Sequence, residues 1–220
     1  RTNVRWKDAM GKMLDRIATV QEEKEINTVI LRDFDLQDLE ISNVFYESGF
    51  TKMTMPNSNE VDNLDMNTTD VFLSSLSKNG RSNLRRYVLK NESFFDFEFK
   101  SKLSEEETNA FHKLHENVKR NNFAVNIFTY PIKFFKLKNE NANWEFIVTR
   151  LKETGEIVSF GSCYKAEQIY CPVVIGIDYA YNSDYKIYKQ MLYQAVKRAF
   201  DLGYKRVNLG LTADTDKKDV

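Results

Sequence analysis

Histidine and cysteine are the scarcest reactive residues in this 220-residue chain, with two of each. His112 and His115 lie three residues apart in a polar helical pattern. That spacing puts both rings on one helix face, but the sequence shows no third ligand beside them, so we expect no metal site. A Ser-His-Asp or Cys-His catalytic site is disfavoured because both histidines belong to the polar pattern.

Cys163 and Cys171 fall in adjacent predicted strands, where in-register side chains would lie close together. We favour two buried thiols in a reducing cytosol over a disulfide, and we therefore expect a cytoplasmic protein.

An excess of charge of one sign and long apolar runs are also absent. Lys+Arg and Asp+Glu both number 32, so a net charge of zero gives no global field to steer nucleic acid or a membrane surface toward the chain. The apolar runs are too short to span a bilayer, and no signal-peptide pattern is present.

The composition, 42% hydrophobic and 29% charged, suits a globular protein of one large or two small domains. The chain begins with Arg1 rather than Met, and we interpret it as a piece of a longer polypeptide that is truncated at its C-terminus.

Periodicity predicts the order of elements. Helices are expected over residues 3–23, 35–48, 69–91, 104–120, 131–137 and 186–202. Strands are expected over residues 28–31, 50–55, 94–100, 144–151, 157–165, 168–177 and 206–211, with a loop over residues 56–67. Ser104 and Glu107 form a capping box, and Gly155 marks a hairpin turn. From residue 94 the order is β-α-α-β-β-β-α-β, which predicts an α/β (α+β) mixed sheet with helices on both faces.

A polar turn at residues 178–184 leads from a predicted strand into the amphipathic helix 186–202. A helix start leaves backbone N–H groups unpaired, and such a turn can hold an anion, often a phosphate. A second basic feature is the run Arg81, Arg85 and Arg86, in which Arg81 and Arg85 share a helix face. These arginines suit either bidentate binding of a phosphate or carboxylate, or a solvated face with salt bridges.

The ordered set of motifs resembles the GNAT acyltransferase superfamily, nearest its Fem-like or acetyltransferase-6 branch. The segments that carry the resemblance are residues 155–161, residues 175–178 followed by the helix to Gly203, Asn208-Leu209-Gly210 with Lys217, and the arginine-rich run at residues 79–86. The resemblance implies three parts: a partial GNAT-like half at residues 1–67, a helical connection at 68–93, and a GNAT-like acyltransferase domain at 94–220. Most members carry a glycine-rich phosphate loop at the strand-to-helix turn, whereas residues 181–189 contain no glycine.

The resemblance implies an N-acyltransferase that moves an acyl or aminoacyl group to a small-molecule or peptide amine. The donor is acyl-CoA or acetyl-CoA as co-substrate, or an aminoacyl-tRNA, so that tRNA is a candidate carrier. An RNA-associated protein without this activity is a further alternative, and zero net charge disfavours it. The glycine-free turn keeps open a non-catalytic GNAT-fold binding module that has lost donor binding.

Candidate site residues follow from these motifs. The catalytic or substrate-orienting candidates are Asp178 and Tyr179, and the alternative for Asp178 is a helix-capping carboxylate. The donor-binding candidates are Ile175, Ile177, Ser183, Lys186 and Lys189. The substrate-binding candidates are Arg81, Arg85, Tyr164 and Lys217, and for the tyrosine a core position is the favoured alternative.

Overall fold

A computed structural model describes residues 5–32, 34, 38–53, 58–121 and 130–211. Contacts divide the chain into two compact units, residues 1–55 and 56–220. The first unit contains α1 (Trp6–Glu23) and α2 (Leu39–Glu47). Asp38 caps α2 by accepting a hydrogen bond from the Ile41 N–H at 3.0 Å. Residues 28–32 and 51–53 form no strand, and residues 54 and 55 lie outside the described residues.

The second unit is built on one six-stranded sheet. Its elements, in chain order, are β1 (Ser58–Val61), α3 (Thr69–Ser75), α4 (Lys78–Asn83), a π-helix (Leu84–Leu89), a 3₁₀ turn (Glu92–Phe94), β2 (Phe95–Lys100), α5 (Glu105–Asn121), α6 (Ile132–Lys138), β3 (Trp144–Leu151), β4 (Ile157–Lys165), β5 (Tyr170–Ile177), α7 (Tyr179–Tyr185), α8 (Ile187–Asp201) and β6 (Val207–Leu211). The strand order is β1-β6-β5-β4-β3-β2. All neighbours are antiparallel except β5 and β6, so the predicted mixed sheet is confirmed.

Three predicted segments of the second unit differ from the structure. The segment expected to be a loop at residues 56–67 contains β1, which pairs with β6 and so obtains its hydrogen bonds from a strand about 150 positions further along the chain. The segment expected to be a polar turn at residues 178–184 is the short helix α7. The single helix predicted at residues 69–91 is three consecutive elements, because Ser77 caps a new helix by accepting from the Gly80 N–H.

The capping box and the hairpin are confirmed. Ser104 Oγ accepts from the Glu107 N–H at 3.1 Å, and Glu107 Oε2 accepts from the Ser104 N–H at 3.0 Å. Glu107 also contacts Lys100 Nζ at 2.6 Å and Arg150 Nη2 at 3.0 Å, which ties the start of α5 to β2 and β3. Gly155 has φ +71°, a left-handed conformation that glycine adopts without strain, and it closes the β3–β4 turn.

Helices cover both faces of the sheet. On one face α8, α3 and the π-helix pack on side chains that include Ile147, Cys163 and Tyr170. On the other face α5 and α6 bury Phe146, Phe160 and their neighbours. Both cysteines were predicted to be buried thiols; Cys163 is buried, whereas Cys171 is half-buried. The register offsets them, because Cys163 pairs with Pro172 rather than with Cys171.

Both faces also bury charged side chains. On the α8 side Glu145 accepts from the Tyr170 hydroxyl at 2.7 Å and from Arg198 Nε and Nη2 at 3.1 and 3.0 Å. On the α6 side Lys138, only 3% exposed, donates to Ser162 Oγ at 2.7 Å. The Lys138 ammonium also lies 4.1 Å from the centre of the Trp144 ring.

Candidate active site

The central strands β5 and β6 diverge after a single paired position. Tyr170 N–H donates to Arg206 O, and the only Cα partners in this parallel pair are Tyr170 and Val207. In a parallel ladder every second residue of a strand bonds to the same neighbour, so the next donor toward β6 would be residue 172. That residue is Pro172, which has no N–H. The pairing stops there, and a notch opens between the two strands.

A β-bulge lies at the same point of β5. Ser162 pairs with Val174, but the next residue of β4, Cys163, pairs with Pro172, so Val173 is the extra residue. Its side chain is 53% exposed although both flanking strands are central in the sheet. Bulges bend a strand and redirect its side chains, and here the bulge adds to the divergence that Pro172 begins.

The edge of β5 that faces the notch carries backbone groups of Ile175 and Ile177. Asp178 N–H donates to Val158 O on the β4 side. Because alternate residues of a strand present their N–H and C=O groups to opposite sides, the groups of Ile175 and Ile177 face away from β4 and toward the diverging β6. No cross-strand pair joins either residue to the described part of β6. Two backbone N–H groups are therefore placed at the notch.

His115 of α5 reaches this edge. Its Nδ1 lies 2.9 Å from Ile175 O. The side chain is buried although it belongs to a polar helical pattern. Burial lowers the pKa of His115, and the Ile175 carbonyl opposes that shift only in part. No sequence motif marked this residue, because the contact depends on where α5 crosses the sheet.

The start of α8 lies directly after α7. Lys186 alone joins the two helices, with φ +52° in the left-handed region that lysine seldom adopts. Asn182 Oδ1 accepts from the Tyr188 N–H at 3.0 Å and thereby occupies one backbone donor of the first turn of α8. The helix start is therefore held in place by a side chain of the glycine-free turn.

Three cations surround the Tyr87 ring of the π-helix beside the start of α8. Arg86 lies 5.3 Å from the ring centre, Lys186 5.9 Å and Lys189 5.8 Å. The π-helix is tied to α8 by Gln190, whose buried Nε2 donates to Val88 O at 2.7 Å. Segments about 100 residues apart thus place their positive charges together, and we call Arg86, Tyr87, Lys186 and Lys189 the basic corner.

The predicted arginine run lines a cleft that extends from the basic corner. The cleft has a volume of about 490 Å³ and is lined by Lys78, Arg81, Ser82, Arg85 and Arg86. Arg81 Nη1 donates to Leu76 O at 2.6 Å, which holds its guanidinium in position. Among the described residues none of the four cations forms an ion pair with a carboxylate. An anionic group is the chemical complement of this cleft.

The remaining predicted site residues have local partners. Asp178 caps α7 by accepting from the Ala180 N–H at 2.9 Å. Tyr179 is half-buried beside it, and burial raises the pKa of its hydroxyl. Ser183 is exposed and donates to Asp184 Oδ1 within α7. These contacts occupy part of the bonding capacity of each residue and leave the predicted roles as proposals.

Tyr164 lies near the far end of β4 from the hairpin. It pairs with Cys171, before the bulge, and its ring lies 5.1 Å from that of Trp144. Lys217 lies outside the described residues. The described ranges contain no cluster of three or more His, Cys, Asp or Glu side chains that could hold a metal ion. Nor do these ranges contain a helix both long and apolar enough to cross a membrane.

A helix-flanked mixed sheet with diverging central strands is the architecture of an acyltransferase of the GNAT superfamily. The sequence profile of the acetyltransferase (GNAT) domain family matches residues 78–218, and the chain belongs to that family. No curated protein matches the chain at a significant level of sequence similarity.

Solved structures share the fold at low identity. FemX superposes with a TM-score of 0.57 and 13% identity over 94% of this chain and 68% of its own. A conserved protein of unknown function from Bacteroides thetaiotaomicron superposes with a TM-score of 0.55 and 12% identity, over 99% of this chain and 71% of its own. L-PGS from Bacillus licheniformis superposes with a TM-score of 0.53 and 15% identity, over 78% of this chain and 50% of its own. This chain therefore spans half of that protein's length. The Fem-like resemblance seen in the sequence therefore extends to the fold.

Proposed function

We propose that this chain is an N-acyltransferase that moves an acyl or aminoacyl group from a phosphate-bearing carrier to an amine. The observation that carries the proposal is the notch between β5 and β6, which begins at Pro172 and runs along β5 toward Ile177. Ile177 packs in one cluster with Ile187, the first residue of α8, which follows Lys186 of the basic corner. Acyl transfer needs hydrogen-bond donors at the acyl carbonyl and a fixed position for the carrier. The notch offers the donors and the basic corner offers the charge.

The donor's acyl carbonyl lies against the N–H groups of Ile175 and Ile177 in this proposal. Its phosphates bind at the basic corner, where Lys186 and Lys189 supply positive charge next to the first turn of α8. Ser183 contacts the carrier at the exposed side of α7. The carrier is acyl-CoA or an aminoacyl-tRNA, which share the phosphate and the activated acyl group.

The acceptor amine approaches from the open side of the notch. Asp178 and Tyr179, which follow the end of β5, orient this amine. Asp178 does so through the carboxylate oxygen that does not cap α7, and Tyr179 through its hydroxyl. The cationic cleft with Arg81 and Arg85 binds an anionic group of the acceptor, and Tyr164 and Lys217 stay predicted contacts with its more distant parts.

Calorimetric titration of the chain with acetyl-CoA, longer acyl-CoAs and tRNA tests this proposal. We expect either binding of an acyl-CoA or binding of tRNA that weakens steeply with salt. Comparison of the two titrations identifies which carrier the chain uses. The double variant Lys186→Gln/Lys189→Gln should weaken binding about 10-fold or more, because two phosphate contacts are lost. Lys197→Gln, near the other end of α8, is the matched control and should leave affinity unchanged.

A non-catalytic binding module is the second candidate function. The observation in its favour is Asn182, whose side chain already takes the Tyr188 N–H that a phosphate would otherwise use. Circular dichroism first verifies that the chain is folded. If the folded chain then gives no heat of binding with any acyl-CoA or with tRNA, the result favours the binding module over the transferase. Binding of any of these carriers would favour the transferase.

A further inference from the structure

The basic corner brings together two segments whose charges repel each other. Arg86 belongs to the π-helix, whereas Lys186 and Lys189 lie at the start of α8. Their charged groups lie 5.3, 5.9 and 5.8 Å from the centre of the Tyr87 ring. Because like charges grouped around one ring repel, other contacts must hold the π-helix against α8 before a carrier binds. The two segments share one apolar cluster, but apolar attraction has no direction.

Gln190 supplies a directional contact between the two segments. Its side chain is fully buried, and its Nε2 donates to Val88 O at 2.7 Å across 102 positions of the sequence. Val88 directly follows Tyr87, and Gln190 directly follows Lys189. The hydrogen bond therefore joins the segments at the positions next to the basic corner. Since the length and angle of a hydrogen bond are confined to a narrow range, it fixes how the π-helix lies against α8.

The carbonyl that accepts this bond lies near the end of the π-helix. Val88 O also accepts from the Asn91 N–H at 2.9 Å, so the two donors use both of its lone pairs. A π-helix is a rare conformation, and single turns of it occur frequently at functional sites. Gln190 thus bonds to the turn that carries Arg86 and Tyr87.

Stability by itself does not explain a glutamine at this position. Oε1 of Gln190 is buried and has no hydrogen-bond partner within the described ranges. The amide cannot be turned over, because its oxygen would then face the Val88 carbonyl, and both atoms are acceptors. A methionine would fill a similar space without an unpaired polar atom, and such an atom costs stability when it is buried. The benefit of the glutamine is therefore the N–H group that it donates to the π-helix.

We propose, on the basis of the proposed function, that Gln190 is a positioning residue for the binding of the carrier's phosphates. Its hydrogen bond to Val88 O holds the π-helix side of the basic corner beside the α8 side while no carrier is bound. The phosphates then meet a preformed set of cations, and less order has to be created on binding. Gln190 is fully buried, so it acts through the basic corner rather than by touching the carrier.

The test compares the wild-type chain with Gln190→Met and, as a matched control, Gln194→Met. Gln194 lies one turn further along α8 and is 2% exposed, and its Nε2 donates to Glu92 Oε1 at 2.8 Å, outside the π-helix. Calorimetric titrations with acetyl-CoA and with tRNA measure affinity, and the carrier that binds wild type is used for every variant. Gln190→Met should weaken that affinity about 5- to 10-fold, because about one phosphate contact is lost. Gln194→Met should stay within about 2-fold of wild type, although it also removes a buried amide.

A double-mutant cycle separates positioning from general damage to the fold. If Gln190 acts through the basic corner, Gln190→Met should add less than about 2-fold to the loss caused by Lys186→Gln/Lys189→Gln. Damage to the fold would instead multiply the two losses, because the effects would be independent. Circular dichroism verifies the folding of each variant. Gln190→Asn keeps the amide but is one methylene shorter, so it should show the same loss and replaces Gln190→Met if the methionine variant does not fold.

Three results would overturn the proposal. The first is a folded Gln190 variant that binds the carrier as tightly as wild type. The second is an equal loss of affinity in Gln194→Met. The third is full multiplication of the losses in the double-mutant cycle. Failure of the proposed function is distinct, because wild type would then bind neither acetyl-CoA nor tRNA.

Discussion

Gly176→Ala should destabilise the chain by moving α5 away from β5. The added methyl group meets Leu114 Cβ at 2.8 Å, His115 N at 3.0 Å and Leu114 C at 3.1 Å. Two of these atoms belong to the helix backbone, so no change of side-chain rotamer relieves the overlap. Overpacking of this kind costs about 1–3 kcal/mol, which for a chain of this length lowers Tm by roughly 2–12 °C. Urea denaturation monitored by circular dichroism measures the difference.

Gly161→Ala is the matched control because it adds the same methyl group to the neighbouring strand. Its nearest contact is the Met191 sulfur at 3.0 Å, at the flexible end of an unbranched side chain. The cost there should stay below about 1 kcal/mol, since the sulfur can move and alanine restricts the unfolded chain. Equal stability of the two variants, or a Gly176→Ala variant as stable as wild type, would show that α5 is not seated against β5 as described.

Two further predictions concern the buried charges. Burial lowers the pKa of Lys138 to about 7 from 10.5, so the unfolded chain binds more protons between those values and stability rises with pH. Lys138→Met should remove that rise, up to about 1.4 kcal/mol per pH unit, whereas Lys136→Met, at an exposed lysine of α6, should keep it. Equal slopes from urea melts at several pH values would contradict this. Arg198→Met leaves Glu145 buried without its cation and should cost about 3–5 kcal/mol, against about 1–3 kcal/mol for Tyr170→Phe. Adding Glu145→Gln to Arg198→Met should restore part of the loss, and a double variant no more stable than the single would refute the argument.

The strands and helices that were predicted correctly carry their signal locally. Residues 144–151 and 157–165 are runs rich in β-branched and aromatic residues on either side of a glycine turn, and α8 has an apolar face at helical spacing. β1 lacked such a signal, because Ser58-Asn59-Glu60-Val61 is polar and becomes a strand only by pairing with β6. The polar residues of α7 were interpreted as a turn for a similar reason. Its short helix is stabilised by the Asp178 cap and by packing of its tyrosines on β5 and α8.

The candidate site was predictable in part. Ile175 and Ile177 lie at the open edge, where the order of strands implies that a GNAT-like sheet diverges, and their role in donor binding stays a prediction. The meeting of Lys186 and Lys189 with Arg86 around Tyr87 was not predicted, because the two segments are about 100 residues apart. Long-range contacts of this kind depend on how helices cross when they pack. A single sequence contains no pattern that predicts this crossing.

By itself the sequence determined the order of the strands from β2 to β6 and of helices α5, α6 and α8. It also determined the neutral overall charge, the amphipathic face of α8 and the proline at residue 172. Those properties depend on neighbours within a few positions, where periodicity and backbone chemistry act directly. Tertiary structure alone decided that Pro172 faces β6, so that its missing N–H opens the notch, and that His115 is buried at the edge of that notch. Both outcomes depend on strand register and on the contact of α5 with Gly176, which arise only when distant segments pack together.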